Sequence, residues 1–127
     1  MKREFEFLQS RDVAKYIKKK YAAAPEYLWV RSLADCIMRR GDNQKWFAGI
    51  FHVRRSRIDG GADDTRIEIL NLRCAPVMTE MIVDKKLIFP GWHMNKHSWI
   101  TVILDGRVET ENLRALIDNS YVLAGGK

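Results

Sequence analysis

At 127 residues, 46% hydrophobic and 30% charged, the chain holds enough apolar sequence for one core and too little for two, so a single domain over residues 1–127 is expected. Its two cysteines, Cys36 and Cys74, are too few and too far apart for a disulfide framework or a zinc knuckle, and read as reduced core residues of a cytoplasmic protein. No apolar run approaches the roughly 18–20 residues that span a bilayer, and the opening MKREFEFLQSRD lacks the apolar stretch of a secretory signal, so neither a membrane nor export is expected. The net charge of +6 is uneven: residues 1–57 carry 14 Lys/Arg against 6 Asp/Glu, residues 58–127 carry 8 against 10. An anionic partner is therefore sought in the first half.

From Ser10 the residues Val13, Tyr16, Ile17 and Tyr21 follow a helical spacing, with Ser10 as candidate N-cap and Pro25 just past the end. Lys15, Lys18, Lys19 and Lys20 line the exposed face. ADCIMRR and KWFAGIFHV read as two strands joined through the turn residues Gly41, Asp42 and Asn43. In the second strand, strict alternation puts Phe47, Gly49, Phe51 and Val53 on one face and Trp46, Ala48, Ile50 and His52 on the other. Both faces are apolar, so helices are expected over at least one.

RRSRIDGGADDTR is polar and reads as an exposed, flexible loop before the strand RIEILNL at 66–72. Pro76 opens a second helix carrying Val77, Met78, Met81 and Ile82 and ending near Lys85 and Lys86. LIFPGWH and WITVIL follow as a second hairpin. The last helix places Leu113, Leu116, Ile117 and Tyr121 on one face and stops at Gly125 and Gly126. The expected class is α+β, a two-layer, mostly antiparallel sheet with flanking helices in the order α-β(3)-α-β(2)-α.

The chemistry-bearing stretch is PGWHMNKHSWITVILDG, where two histidines, an asparagine and a lysine fall within five positions. On a helix His93 and His97 would form a metal pair, but Pro90, Gly91 and the β-branched run after Trp99 place them on a hairpin turn with no third ligand nearby. No metal and no cofactor is expected. Ser98 or Ser120 with a histidine and Asp105 or Asp118 would make a hydrolytic trio, yet neither a nucleophile elbow nor a phosphate loop accompanies them, and a non-enzymatic role is expected. KWFAGIFHV fails the strand motif of RNA-recognition modules, since Trp46 and Gly49 stand where a glycine and a stacking aromatic belong. Arg54, Arg55 and Arg57, entering the polar loop, are the candidate phosphate contacts, and Lys96 and His97 are candidates at the second turn. The alternative for the turn is structural: Trp92 and Trp99 bury their rings, Asn95 and Lys96 make a tight turn, and the histidines satisfy backbone groups.

DNQKWFAGIFHV, RIEILNLRCAP, GWHMNKHSWITVILDG and LRALIDNSYVLA, in this order, resemble the MmcQ/YjbR family of small bacterial proteins from about Val13 to Ala124. The H-x-N-K-x-x-W stretch and the Ser-Tyr pair of the last helix are the most specific part. The resemblance implies a frataxin-like (CyaY-like) double-wing fold and DNA binding, with wings after Val53 and at His93–His97. Residues that match the family pattern are Asn71, Arg73 (where the family often has Lys), Cys74, His93, Asn95, Lys96, His97, Trp99, Ser120 and Tyr121; Trp92 departs from the Tyr common before that histidine. Two alternatives stand beside DNA binding. One is a protein-interaction module of adaptor or chaperone type; the other is a small-ligand pocket built from Asn71, Arg73, His93, Asn95, Lys96, Trp99, Ser120 and Tyr121.

Overall fold

The computed structural model describes residues 2–31 and 33–126, with side chains from Gln9 onward. In chain order the elements are α1 (Lys2–Tyr21), β1 (Cys36–Arg39), β2 (Trp46–Arg54), α2 (Ser56–Asp59), β3 (Arg66–Arg73), α3 (Pro76–Ile82), β4 (Ile88–Pro90), β5 (Trp99–Ile103) and α4 (Thr110–Gly125). The five strands form one antiparallel sheet in the order β1-β2-β3-β5-β4. This is the α+β arrangement that the periodicities predict, with one additional helical turn, α2, between β2 and β3.

α1 and α4 cover one face of the sheet. Val13 and Ile17 from α1 and Leu113, Ile117 and Ala124 from α4 meet Ile50, Leu70, Leu72, Ile100 and Val102 from alternating strand positions to form the main core. The opposite face carries a smaller cluster, Ile37, Phe51, Val53 and Ile69, roofed by Trp29, Trp46, Ile58, Ile67 and Trp92. Aromatic side chains rather than long helices cover this second face.

Several expectations need correction. Ser10 is not an N-cap: KREFEFLQ contains neither Gly nor Pro and is rich in helix formers, so α1 runs on upstream of it. The helix ends where Ala22 turns left-handed (φ 56°), its N–H still bonded to the Lys18 carbonyl at 2.9 Å. Phe47 does not share a face with Phe51 and Val53. A bulge between β1 and β2, where Met38 pairs with Ala48 and Arg39 with Trp46, puts Phe47 and Ala48 together in the main core and Trp46 on the second face. α3 stops at Ile82 instead of near Lys85. Asp84 Oδ1 accepts the backbone N–H groups of Lys86, Leu87 and Ile88 at 2.9–3.0 Å and turns the chain. The strand expected over 87–93 is confined to Ile88–Pro90.

Both sheet edges are short. β4 has three residues and ends in Pro90. Along β1, Glu26 bridges Ile37 with reciprocal backbone bonds of 2.9 and 3.0 Å.

Candidate functional site

The sequence candidates fall at two ends of the sheet. β2 ends and β3 begins at the α2 tip, whereas β3 ends where β5 begins, beside the 91–98 turn. Eight residues of β3 separate them, about 23 Å at the rise of a strand. Arg54, Arg55 and Arg57 therefore do not share one patch with Lys96 and His97.

At the tip, Arg54 and Arg66 are register partners. The loop beyond them carries α2, closed by Gly60 in the left-handed region, and Arg55 N–H bonds to the Thr65 carbonyl. Arg54 approaches Asp64 and Arg55 approaches Asp63, each at 3.7 Å, while Ser56 donates to Asp64. Bonds from the Thr65 hydroxyl and N–H hold the Asp63 carboxyl below its ordinary pKa, so it stays ionised. Among the described residues Arg57 and Arg66 have no carboxylate partner.

At the other end, Asn71 is 2% exposed and closes a ring of three hydrogen bonds. Trp92 N–H donates to Thr101 Oγ1 (2.8 Å), Thr101 donates to Asn71 Oδ1 (2.6 Å), and Asn71 Nδ2 donates to the Trp92 carbonyl (3.0 Å). Both backbone groups of Trp92 are thereby locked to the sheet. The turn continues with His93 in a left-handed conformation (φ 58°), its ring stacked on Trp92 at 3.9 Å, and with Asn95 Oδ1 accepting the His97 N–H at 2.8 Å. Lys96 Nζ folds back to the Gly91 carbonyl at 2.8 Å. Gly91 is required here, because a Cβ would lie 2.7 Å from Trp99 Cβ. Trp99 is buried, as expected, whereas Trp92 is half-buried. Contrary to the structural reading of the turn, the His93 and His97 rings make no hydrogen bond to backbone among the described residues.

Arg73 lies on the same face as Asn71, two residues along β3. Its guanidinium sits 4.8 Å from the Trp99 ring centroid and Nε donates to the Trp46 carbonyl at 2.6 Å. Burial pulls its pKa below the ordinary arginine value. The expected pocket, however, does not assemble. Ser120 and Tyr121 belong to α4, on the far face of the sheet. Ser120 is fully buried, donating to the Phe47 carbonyl and accepting the Arg73 N–H, and Tyr121 stacks on Tyr21 at 3.8 Å under the Arg40 guanidinium at 4.0 Å. Next to them Asp118 accepts from Tyr16, Tyr21 and Lys20 at 2.5–3.0 Å, closing α1 onto α4. Burial and the bond to Asp118 push the Tyr21 hydroxyl well above its ordinary pKa, so it remains a donor.

One polar constellation was not among the sequence candidates. His52 Nδ1 meets Asp35 Oδ1 and Nε2 meets Glu68 Oε2, both at 2.9 Å, and the His52 N–H also donates to Asp35. The Glu68 bond and then the Asp35 bond raise the imidazole pKa against the opposing effect of burial, favouring the doubly protonated ring. Asp35, His52 and Glu68 sit on three separate segments, and only the β2–β3 register reveals one of the two pairs. Among the described residues no three His, Cys, Asp or Glu side chains are grouped to hold a metal, and no helix is long and apolar enough to cross a membrane. Both cysteines are buried, and burial pushes the Cys36 thiol up to about 11, which leaves it unreactive at neutral pH.

Known proteins share this architecture. A crystal structure of a Pseudomonas syringae protein is similar with a TM-score of 0.84 at 31% identity, covering 90% of this chain and 97% of that one. The Deinococcus radiodurans protein DR2400 shares the fold, with a TM-score of 0.71 at 24% identity over 94% and 80% of the two chains. The uncharacterized protein YyaQ of Bacillus subtilis (strain 168) is 31% identical over 118 residues, 91% of this chain and 98% of YyaQ. The YjbR family model matches residues 8–123. With nearly the whole chain matched by both model and relative, the protein belongs to the YjbR family.

Proposed function

We propose that the protein is a non-enzymatic, cytoplasmic DNA-binding domain of the double-wing, CyaY-like type that grips backbone phosphates with the β2–β3 tip. The observation behind this reading is the register pair Arg54 and Arg66. Like charges directly opposite across an antiparallel pair are destabilising. The neighbouring carboxylates relieve little of the repulsion, since Asp63 and Asp64 are exposed and stand 3.7 Å from Arg55 and Arg54. A phosphate between the two guanidinium groups removes the repulsion and adds charge-assisted hydrogen bonds. Arg55 and Arg57 extend the same cluster.

Four phosphate contacts give a log–log salt slope of about −3.6, hence about 150-fold weaker duplex binding at 200 mM than at 50 mM salt. Fluorescence anisotropy on a labelled duplex measures this. A salt-insensitive complex, or unchanged binding after Arg→Gln substitution at positions 54, 55, 57 and 66, refutes the reading.

A protein-interaction role is the second reading, favoured by α3. Val77 and Met81 are 74% and 79% exposed, and Met78 lies beside Asn119 of α4, one turn before the exposed Val122. This reading predicts no duplex binding at low salt and an association that Met81→Glu removes.

A further inference from the structure

At the end of the sheet farthest from the arginine tip, cations and indole rings alternate from strand to strand. Arg39 of β1 pairs with Trp46 of β2, its guanidinium 5.9 Å from that ring's centroid. Arg73 of β3 pairs with Trp99 of β5 in the same manner at 4.8 Å. Beyond β5, Gly91 donates to the Trp99 carbonyl at 3.0 Å and accepts Lys96 Nζ at 2.8 Å. The two outer cations are engaged, Arg39 by Glu26 at 3.0 Å and Lys96 by the Gly91 carbonyl.

The central one is not. Arg73 Nε is fixed to the Trp46 carbonyl, but among the described residues neither Nη has a hydrogen-bond partner and no carboxylate pairs with the guanidinium. No buried side-chain nitrogen lacks a partner among those residues, so neither Nη atom is sealed from solvent. The group is thus oriented by its neighbours, partly desolvated, and uncompensated in charge. Such a guanidinium presents a planar two-donor fork with little left to reorganise on binding, which suits a carboxylate or phosphate. The residue whose carbonyl holds Arg73 Nε is itself aromatic: Trp46 is half-buried and set edge-on to Trp29 at 6.2 Å.

We infer that this end of the second face is a binding site for a small molecule that carries an oxyanion on a flat ring, the oxyanion held by the two Nη atoms of Arg73 and the ring by Trp46. The site is independent of the phosphate-gripping tip. Its chemistry admits either a phosphate or a carboxylate, and the probes separate them: adenosine 5′-monophosphate against its half-ligands adenosine and inorganic phosphate, and benzoate against its half-ligands benzyl alcohol and acetate.

Tryptophan fluorescence and amide chemical shifts at Trp46, Arg73 and Trp99 follow each titration. One of the two complete probes should saturate and bind at least about tenfold tighter than either half-ligand, as expected for one lost charge-assisted bond. Arg73→Gln should remove this binding, while Arg54→Gln and Arg57→Gln leave it unchanged. If Arg73→Gln does not fold, Arg73→Lys decides, because it keeps the charge and loses the fork: about tenfold weaker binding is expected. The absence of saturable change with every probe up to millimolar concentration overturns the assignment. Binding that survives Arg73→Gln, or is unchanged by Arg73→Lys, overturns it equally.

Discussion

Replacing Asn71 with alanine opens the three-bond ring that fixes Trp92. The side chain is 2% exposed, and its loss strands two groups: the buried Thr101 hydroxyl and the part-buried Trp92 carbonyl. At about 1–3 kcal/mol for each stranded group, with a small cavity added, Asn71→Ala should cost about 3–4 kcal/mol. Thr101→Val strands the Trp92 N–H and Asn71 Oδ1 instead and should cost about 2–3 kcal/mol by the same reasoning. Because both substitutions break the shared Thr101–Asn71 bond and release the same residue, the double variant should fall short of the sum by about 1–2 kcal/mol. Equilibrium urea denaturation followed by tryptophan emission measures all four proteins, and Trp92 itself reports on the turn. Costs that add within about 0.5 kcal/mol, or an Asn71→Ala cost below about 1 kcal/mol, would show that the ring does not act as a unit.

Two further outcomes are expected. His52 has a raised pKa in the fold, so its stabilising contribution is complete below the unfolded value of 6.5 and is lost as pH rises through the folded value; the stability gap between wild type and His52→Gln, measured by thermal melts, should shrink as pH climbs above 6.5, and a gap that grows refutes the assignment. Trp99→Ala should cost about 3–5 kcal/mol, whereas Lys96→Ala, which loses a bond from an exposed ammonium to the Gly91 carbonyl, should stay within about 1 kcal/mol in the same melts; equal damage from both would make the whole turn structural.

Element order was legible because the apolar spacing changes plainly from helical to alternating and back. What escaped depended on partners distant in sequence. The bulge that turns Phe47 into the main core arises from how Met38 and Arg39 pair with β2, and KWFAGIFHV read alone gives regular alternation. α2 is one helical turn, too short for any period to register. The candidate pocket mixed two faces: the i, i+2 spacing of Asn71 and Arg73 does place them together, but only packing shows that Ser120 and Tyr121 reach β2 and β3 from the helical side. Arg39 and Trp46 went unnoticed as companions of Arg73 because the cross-strand row exists only once the register is fixed.

The two short edges of the sheet limit how copies of this chain can meet. Gly91 N–H points inward to Trp99, so by alternation the Pro90 nitrogen points outward, where it has no hydrogen to offer an incoming strand. On the opposite side Glu26 already occupies the backbone groups of Ile37 that a visiting strand would need. A five-stranded sheet with a long accessible margin is a template for fibrous growth by strand addition, and here that growth is blocked at its first step on both sides. Crowded expression should therefore leave the folded chain free of cross-β polymer.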